Sequence, residues 1–241
     1  MKSVLITGSS RGIGKETALL FARKGYRTAI NCVQRTEELD KVRREIEALG
    51  VPCLAFQADV SVYKEAAQMI HVLLDAWGSL SVLVNNAGIA SIGLFQEMSY
   101  EAYHRILETN LTSVLNCCHL AVPGMVSRHE GKIINVSSIW GIAGASCEVV
   151  YSAAKGGVNS FTRALGKELA PCNIQVNAVA CGVIDTEMNA CLSEEDRQAL
   201  EQEIPAGRFG KAREAAELIC TIASGHEYLN GQVITLDGGF L

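Results

Sequence analysis

Tyr151 and Lys155 stand four positions apart, a spacing that puts a phenol and an ammonium on one face of a helix. A free phenol, with a pKa of about 10, exchanges protons poorly at neutral pH. A neighbouring ammonium favours its ionised form, so the pair reads as a proton donor beside a tuning charge. Near the start of the chain, Thr7-Gly8-Ser9-Ser10-Arg11-Gly12-Ile13-Gly14 follows a short apolar run and precedes a helical one. Gly8, Gly12 and Gly14 let the backbone turn sharply and approach a pyrophosphate, whose charge the amides and dipole of a helix N-terminus would meet.

Those residues need a scaffold, and the hydrophobic pattern predicts one. Short apolar runs at 3–7, 28–32, 53–57, 82–85, 131–136, 174–180 and 232–236 read as strands. Stretches with apolar residues three and four apart, at 14–24, 37–49, 63–77, 100–129, 151–169 and 213–224, read as helices between them. This alternation predicts an α/β fold, a Rossmann-like, doubly wound, seven-stranded parallel sheet with helices on both faces. A chain of 241 residues fits one such domain, 1–241. The stretch 182–210 is acidic, polar and without a strand, and reads as a substrate-covering loop with short helices.

Composition excludes several classes. Hydrophobic residues make up 49% and charged residues 20%, which is globular composition. A net charge of −5 with no Lys/Arg-rich run argues against nucleic acid as a partner. The nine cysteines lack paired metal-ligand spacing and read as reduced core thiols, with no metal site. Met1-Lys2 leads directly into the first strand, which leaves no room for a leader, and no apolar run approaches the ~20 residues that span a bilayer. The expected location is the cytoplasm, away from membranes.

The end of the second strand reports on the cofactor. A carboxylate there would accept a ribose 2′-hydroxyl and repel a 2′-phosphate. The chain instead reads Asn31-Cys32-Val33-Gln34-Arg35, with no carboxylate, while Arg11 and Arg35 offer guanidinium groups to a multi-oxygen anion. The expected cofactor is NADP(H).

The spacing Gly-x-x-x-Gly-x-Gly is the first of several motifs in a fixed order. Asp59-Val60, Asn85-Asn86-Ala87-Gly88, Asn110, Ser138, Tyr151-Ser152-Ala153-Ala154-Lys155 and Asp237-Gly238-Gly239 follow, over essentially the whole chain. The chain thereby resembles the short-chain dehydrogenase/reductase superfamily. That resemblance implies that Asp59 caps the adenine amino group, that Val60 packs on its ring, and that Asn86 and Gly88 line the adenine ribose side. A turn stabilising a strand end also accounts for Asn86 and Gly88. The resemblance further implies that Lys155 binds the nicotinamide ribose, Ser138 donates to the substrate carbonyl, and Asn110 holds a water linking Lys155 to solvent. The Ile184 backbone and Thr186 would hold the carboxamide, although Cys181 replaces the usual proline before them. Hydride would pass to a carbonyl carbon while Tyr151 protonates the alkoxide. A homotetramer is the family's common assembly.

Within the superfamily the chain resembles 3-oxoacyl-acyl-carrier-protein reductases, as at Gly207-Arg208-Phe209-Gly210 and Gly231-Gln232-Val233. Of the two basic contacts by which those enzymes receive a carrier protein, Arg128-His129 supplies the first, and Pro171-Cys172-Asn173 lacks the second. Ser137-Ser138-Ile139-Trp140-Gly141 and Gly144-Ala145-Ser146-Cys147-Glu148-Val149 locally resemble bacterial elongation factor P 5-aminopentanone reductases. Glu148, one turn from Tyr151, could receive an ammonium group, and Trp140 could wall the substrate pocket; a solvated or interface carboxylate and a core indole are the plainer alternatives. The expected substrate is thus a ketone, a 3-oxoacyl thioester on a carrier protein, with the ketone of modified elongation factor P as the alternative. A hydroxysteroid or other secondary-alcohol dehydrogenase, and an NADPH-sensing regulator without activity, are further readings.

Overall fold

The computed structural model describes residues 1–190 and 192–241; Cys191, one of the nine expected thiols and part of the expected loop, lies outside the described residues. The chain opens β1 (Ser3–Ile6), α1 (Gly12–Arg23), β2 (Arg27–Cys32), α2 (Thr36–Glu47), β3 (Cys53–Gln57) and α3 (Tyr63–Trp77). It continues through β4 (Val82–Asn85), α4 (Tyr100–Leu107), α5 (Ser113–Arg128), β5 (Gly131–Ser138), the short α6 (Trp140–Ala143) and α7 (Val149–Leu169). The last elements are β6 (Ile174–Cys181), β7 (Ile184–Asp185), α8 (Glu194–Glu203), β8 (Gly210–Lys211), α9 (Ala212–Ser224) and β9 (Val233–Leu236). Seven strands form one parallel sheet in the order β3-β2-β1-β4-β5-β6-β9. This is the single, doubly wound α/β domain that the alternating pattern predicts.

Period-two alternation divides the strand side chains between two cores. Val4, Ile6, Val82 and Val84 join the apolar faces of α1, α2 and α9. Leu5, Leu83 and Ile133 join those of α3, α5 and α7. Each of these side chains is almost completely buried, which stabilises the fold by roughly 1.5–3 kcal/mol apiece. A polar ladder crosses the second core. Asn85 Nδ2 donates to Asn135 Oδ1 at 2.8 Å, and Asn135 Nδ2 donates to Thr162 Oγ1 at 2.9 Å. The ladder fixes α7 against β4 and β5, the strands whose ends reach the site. Of the described cysteines, Cys32, Cys117, Cys118, Cys181 and Cys220 are buried and Cys53, Cys147 and Cys172 half-buried, all as free thiols. Among the described residues, no helix is long and apolar enough to cross a membrane, and no cluster of His, Cys, Asp and Glu could hold a metal ion.

Two elements differ from the sequence reading. The helix expected over 100–129 is interrupted between α4 and α5 by a π turn, Glu108–Thr112. The wider turn carries Asn110 inward, where Oδ1 accepts from Ile89 N at 3.2 Å and Nδ2 donates to Ile89 O at 2.8 Å and Ile106 O at 2.9 Å. The stretch 182–210 is not strandless either. Its ends return side by side and pair in parallel as β7 and β8, Ile184 with Gly210 and Asp185 with Lys211. Short helices at Glu187–Asn189 and Glu194–Glu203 lie between them, as expected.

Replacing Asn110 with Ala leaves three backbone groups, one buried and two partly buried, without this partner. The expected loss is about 1–3 kcal/mol, read as a lower urea midpoint at unchanged m-value. An unchanged midpoint would show that the side chain does not brace the π turn.

Candidate active site

The sheet order reverses between β1 and β4, so the chain leaves these adjacent strands in opposite directions and a crevice opens at their carboxyl ends. A cleft of about 950 Å³ occupies this place. Gly8, Ser10, Arg11, Gly12 and Ile13 line one end of it, and Ser138, Tyr151 and Lys155 the other.

No side chain caps the N-terminus of α1 and no acidic residue lies in its first turn, which leaves the leading amides open to an anion. Gly14 does not line the cleft. A Cβ on it would stand 2.4 Å from Gly8 O and 2.5 Å from Asn86 Nδ2, so the helix can approach the turn only with glycine there. Asn86 clamps the same turn, donating through Nδ2 to Thr7 O at 3.0 Å and Gly8 O at 2.8 Å. Asn86 still faces the cleft with Asp59, Gly88, Ile184 and Thr186. Val60 does not. It is 2% exposed and packs in the core among side chains of α3 and α5. The bare glycine wall, the uncapped amides and two arginines at one rim fit a phosphorylated dinucleotide.

Those arginines converge. Arg35 and Arg11 each reach Glu187 Oε2, Arg35 at 3.1 Å and Arg11 in direct hydrogen-bond contact. The Arg11 guanidinium holds the Glu187 carboxyl below the usual carboxylate range, with Arg35 adding to the effect. Sequence reasoning missed Glu187. Its one signal was a carboxylate directly after Thr186, in a loop where acidic residues are ordinary.

The reacting end is built on α7. Val150, Tyr151, Ala154, Lys155, Val158, Thr162, Gly166 and Leu169 form one buried stripe at three- and four-residue spacing, so Tyr151 and Lys155 are held by the packing that holds the helix. Lys155 Nζ donates to Val136 O at 2.9 Å and lies 5.6 Å from the Tyr151 ring centroid. Burial lowers its pKa to about 8. Tyr151 goes the other way. Burial raises its pKa, and the nearby Glu148 carboxylate raises it further, while a hydrogen bond with Ser138 works against both. The lowering expected from the Lys155 charge does not prevail, because the ring is desolvated and the ammonium is turned onto a carbonyl; the phenol keeps its proton, as a proton donor must. Asn110 lies behind Lys155 with both amide donors spent on backbone, and no part of it lines the cleft. Burial pushes the Cys181 thiol up to about 12, so it is neutral, as a structural thiol should be.

Glu148 and Trp140 stand beside Tyr151 in the wall of the cleft. Burial raises the Glu148 pKa, and a hydrogen bond from the Trp140 indole partly offsets this. Phe240 packs edge-on against Trp140 with ring centroids 5.7 Å apart. Gly141 abuts the backbone of Lys155, where a Cβ would come within 2.6 Å of the carbonyl carbon.

The model of the short chain dehydrogenase family matches residues 2–197. The chain is 40% identical over 239 residues to the 3-oxoacyl-acyl-carrier-protein reductase FabG of Staphylococcus aureus, covering 99% of this chain and 97% of that one. It is 39% identical over 241 residues to the protein of the same name from Thermotoga maritima, covering 100% and 98%. The crystal structure of a short-chain type dehydrogenase/reductase from Mycobacterium marinum superposes with a TM-score of 0.93 at 34% identity, covering 99% of this chain and 95% of that one.

Burial brings the Lys155 ammonium down to about 8, below the value of about 10.4 for a free lysine side chain. Between these values the unfolded chain binds a proton that the folded chain does not, so this group makes stability rise with pH through that window. Below it the full penalty of the buried ammonium applies. Lys155→Met should therefore gain in Tm over the parent at pH 7, and the gain should shrink by pH 10. A gain that grows with pH would show that the ammonium is stabilised by its surroundings.

Proposed function

Because the chain belongs to the short chain dehydrogenase family, we propose that it is an NADPH-dependent reductase of a ketone, with a 3-oxoacyl thioester as substrate. The observation that carries this reading is the convergence of Tyr151, Lys155 and Ser138 on the end of the cleft opposite the glycine turn. When bound, the nicotinamide supplies the hydride. Tyr151 supplies the proton, and its raised pKa suits that role, since the phenol stays protonated until an alkoxide, a far stronger base, forms beside it. Ser138 Oγ, already bonded to the phenol, is placed to donate to the same oxygen. Lys155, fixed on Val136 O, is placed to hold the nicotinamide ribose and to return a proton to Tyr151. Asn110 serves that route by bracing the π turn, since its amide donors are taken by backbone. Ile184 and Thr186 line the same cleft, which supports their receiving the carboxamide.

Arg11 and Arg35, with no carboxylate at the end of β2, support NADPH over NADH. Relatives named as 3-oxoacyl-acyl-carrier-protein reductases support the thioester. Ile92, Leu192 and Leu200 give the cleft an apolar wall suited to an acyl chain, with the loop at 182–210 as its cover. A location in the cytoplasm and assembly as a homotetramer complete the reading, on the strength of the family resemblance.

One feature favours a second substrate. Glu148 is a partly desolvated carboxylate in the pocket wall, held by Trp140 and close enough to act on the Tyr151 phenol. An acyl thioester offers it no partner, whereas a ketone bearing a terminal amine, as on modified elongation factor P, would neutralise it. Pro171-Cys172-Asn173 adds no base to Arg128, which leaves one of the two basic contacts expected for an acidic carrier.

NADPH oxidation with an acetoacetyl thioester and with ketone-modified elongation factor P separates the two substrates. Tyr151→Phe should cut either turnover by about 10²–10⁴-fold while cofactor affinity holds. Glu148→Gln should spare thioester turnover and impair that of the amine-bearing ketone. Activity that survives Tyr151→Phe would overturn the acid assignment.

A further inference from the structure

Glu187 is a carboxylate in the lining of the cleft, beside the two arginines expected to meet the cofactor. Glu187 reaches across the rim from the far side, and a single carboxylate oxygen, Oε2, meets both Arg11 and Arg35. The two arginines come from different βα units, one preceding α1 and the other preceding α2. Two guanidinium groups repel unless an anion lies between them, and each stands at a helix N-terminus that also favours negative charge. The place they share is thus built for an anion. Arg35 has a second carboxylate neighbour, Glu38, at 3.8 Å on its own helix; Arg11 has Glu187 alone among the ion pairs of the described residues. Glu187 opens the loop. It follows β7 by two residues, and Asn189 Nδ2 donates to Ile184 O at 2.7 Å, which fastens the turn that carries it to β7.

We propose that Glu187 sets cofactor discrimination from outside β2, as an internal anion that holds the 2′-phosphate seat until the cofactor displaces it. The inference rests on the NADPH reading of Arg11 and Arg35. A 2′-phosphate brings more oxygens and more charge than one carboxylate, so it takes both guanidinium groups and sends Glu187 and the first turn of the loop away from the rim. A ribose with a free 2′-hydroxyl cannot do so. It binds with the bridge intact, where the carboxylate is a ready acceptor for the hydroxyl. Glu187 therefore weakens binding of the phosphorylated cofactor, by the fraction of time it fills the seat, and supports binding of the other. The residue narrows a preference that Arg11 and Arg35 create.

The test is calorimetric titration of the cofactor-free full chain with 2′,5′-ADP and with 5′-ADP, in the parent and in Glu187→Gln. The substitution should widen the ratio of the two dissociation constants by about fivefold, the scale expected for losing two exposed ion pairs. Hydrogen exchange at 184–190 should rise when the parent binds 2′,5′-ADP and stay unchanged with 5′-ADP. In an Arg35→Gln background, Glu187→Gln should lose most of its effect on the ratio. A ratio left unchanged by Glu187→Gln, or both affinities moving together as a general loosening of the loop would cause, would overturn the proposal. A parent that binds 5′-ADP as tightly as 2′,5′-ADP would count against the NADPH reading itself, which is a separate outcome from the change in ratio.

Discussion

A lysine ammonium enclosed by protein is the constraint around which this site is organised. Lys155 is 4% exposed, so its charge is costly unless hydrogen-bond acceptors surround it. Val136 O supplies one acceptor, and the lowered pKa records how incomplete the compensation is. Room for the side chain comes from residues that have none of their own. A Cβ on Gly141 would press on the lysine's main chain, and one on Gly88 would come within 2.8 Å of Asn110 Oδ1, which lies beside the ammonium. Asn110 fills the space behind with a side chain whose donors are satisfied by backbone. A group held this tightly needs no reordering to reach its place beside the Tyr151 phenol, which is what the proposed relay of a proton between them requires.

The same rigidity extends into the scaffold. The ladder from Asn85 through Asn135 to Thr162 is buried, and buried polar contacts of this kind tolerate few alternative arrangements. It links the strand ends that shape the cleft to the helix that carries Tyr151 and Lys155. Glycine turn, strand ends and catalytic helix therefore form one packed unit. The stretch between β7 and β8 is tied to this unit by the buried Ile204 and Phe209, by Ala206 N donating to Gly238 O, and by the bridge from Glu187 to Arg11 and Arg35.

Much of this architecture was legible in the sequence because periodicity reports it directly. The seven strands and the Tyr151–Lys155 face follow from spacing of two and of three to four residues, and the glycine turn follows from its place between a strand and a helix. What escaped has physical reasons. A π turn shifts the helix by one residue, and the apolar spacing of 100–129 is satisfied on either side of it. Strands of two residues have no period, so β7 and β8 exist only because their ends meet in three dimensions. Val60 packs in the core among side chains of α3 and α5, a burial that the motif does not express. The protonation of Tyr151 depends on burial and on Glu148, neither of which follows from the distance to Lys155 in the chain. Glu187 could not be told from a solvated acid until two arginines from distant segments were seen around it.

The pairing of β7 with β8 bears on how such a scaffold diversifies. Ile184 and Gly210 lie side by side, so the intervening residues leave and re-enter the domain at one point, as from a socket. The entropic cost of closing a longer segment grows slowly, by roughly 0.6 kcal/mol for each doubling of length. Changes of length or sequence that keep the buried Ile204 and Phe209 would leave the sheet, the buried lysine and the polar ladder undisturbed. The protein thus separates a part that evolution can rewrite for a new substrate from a part that it must keep, and the boundary between them is two residues wide on each side.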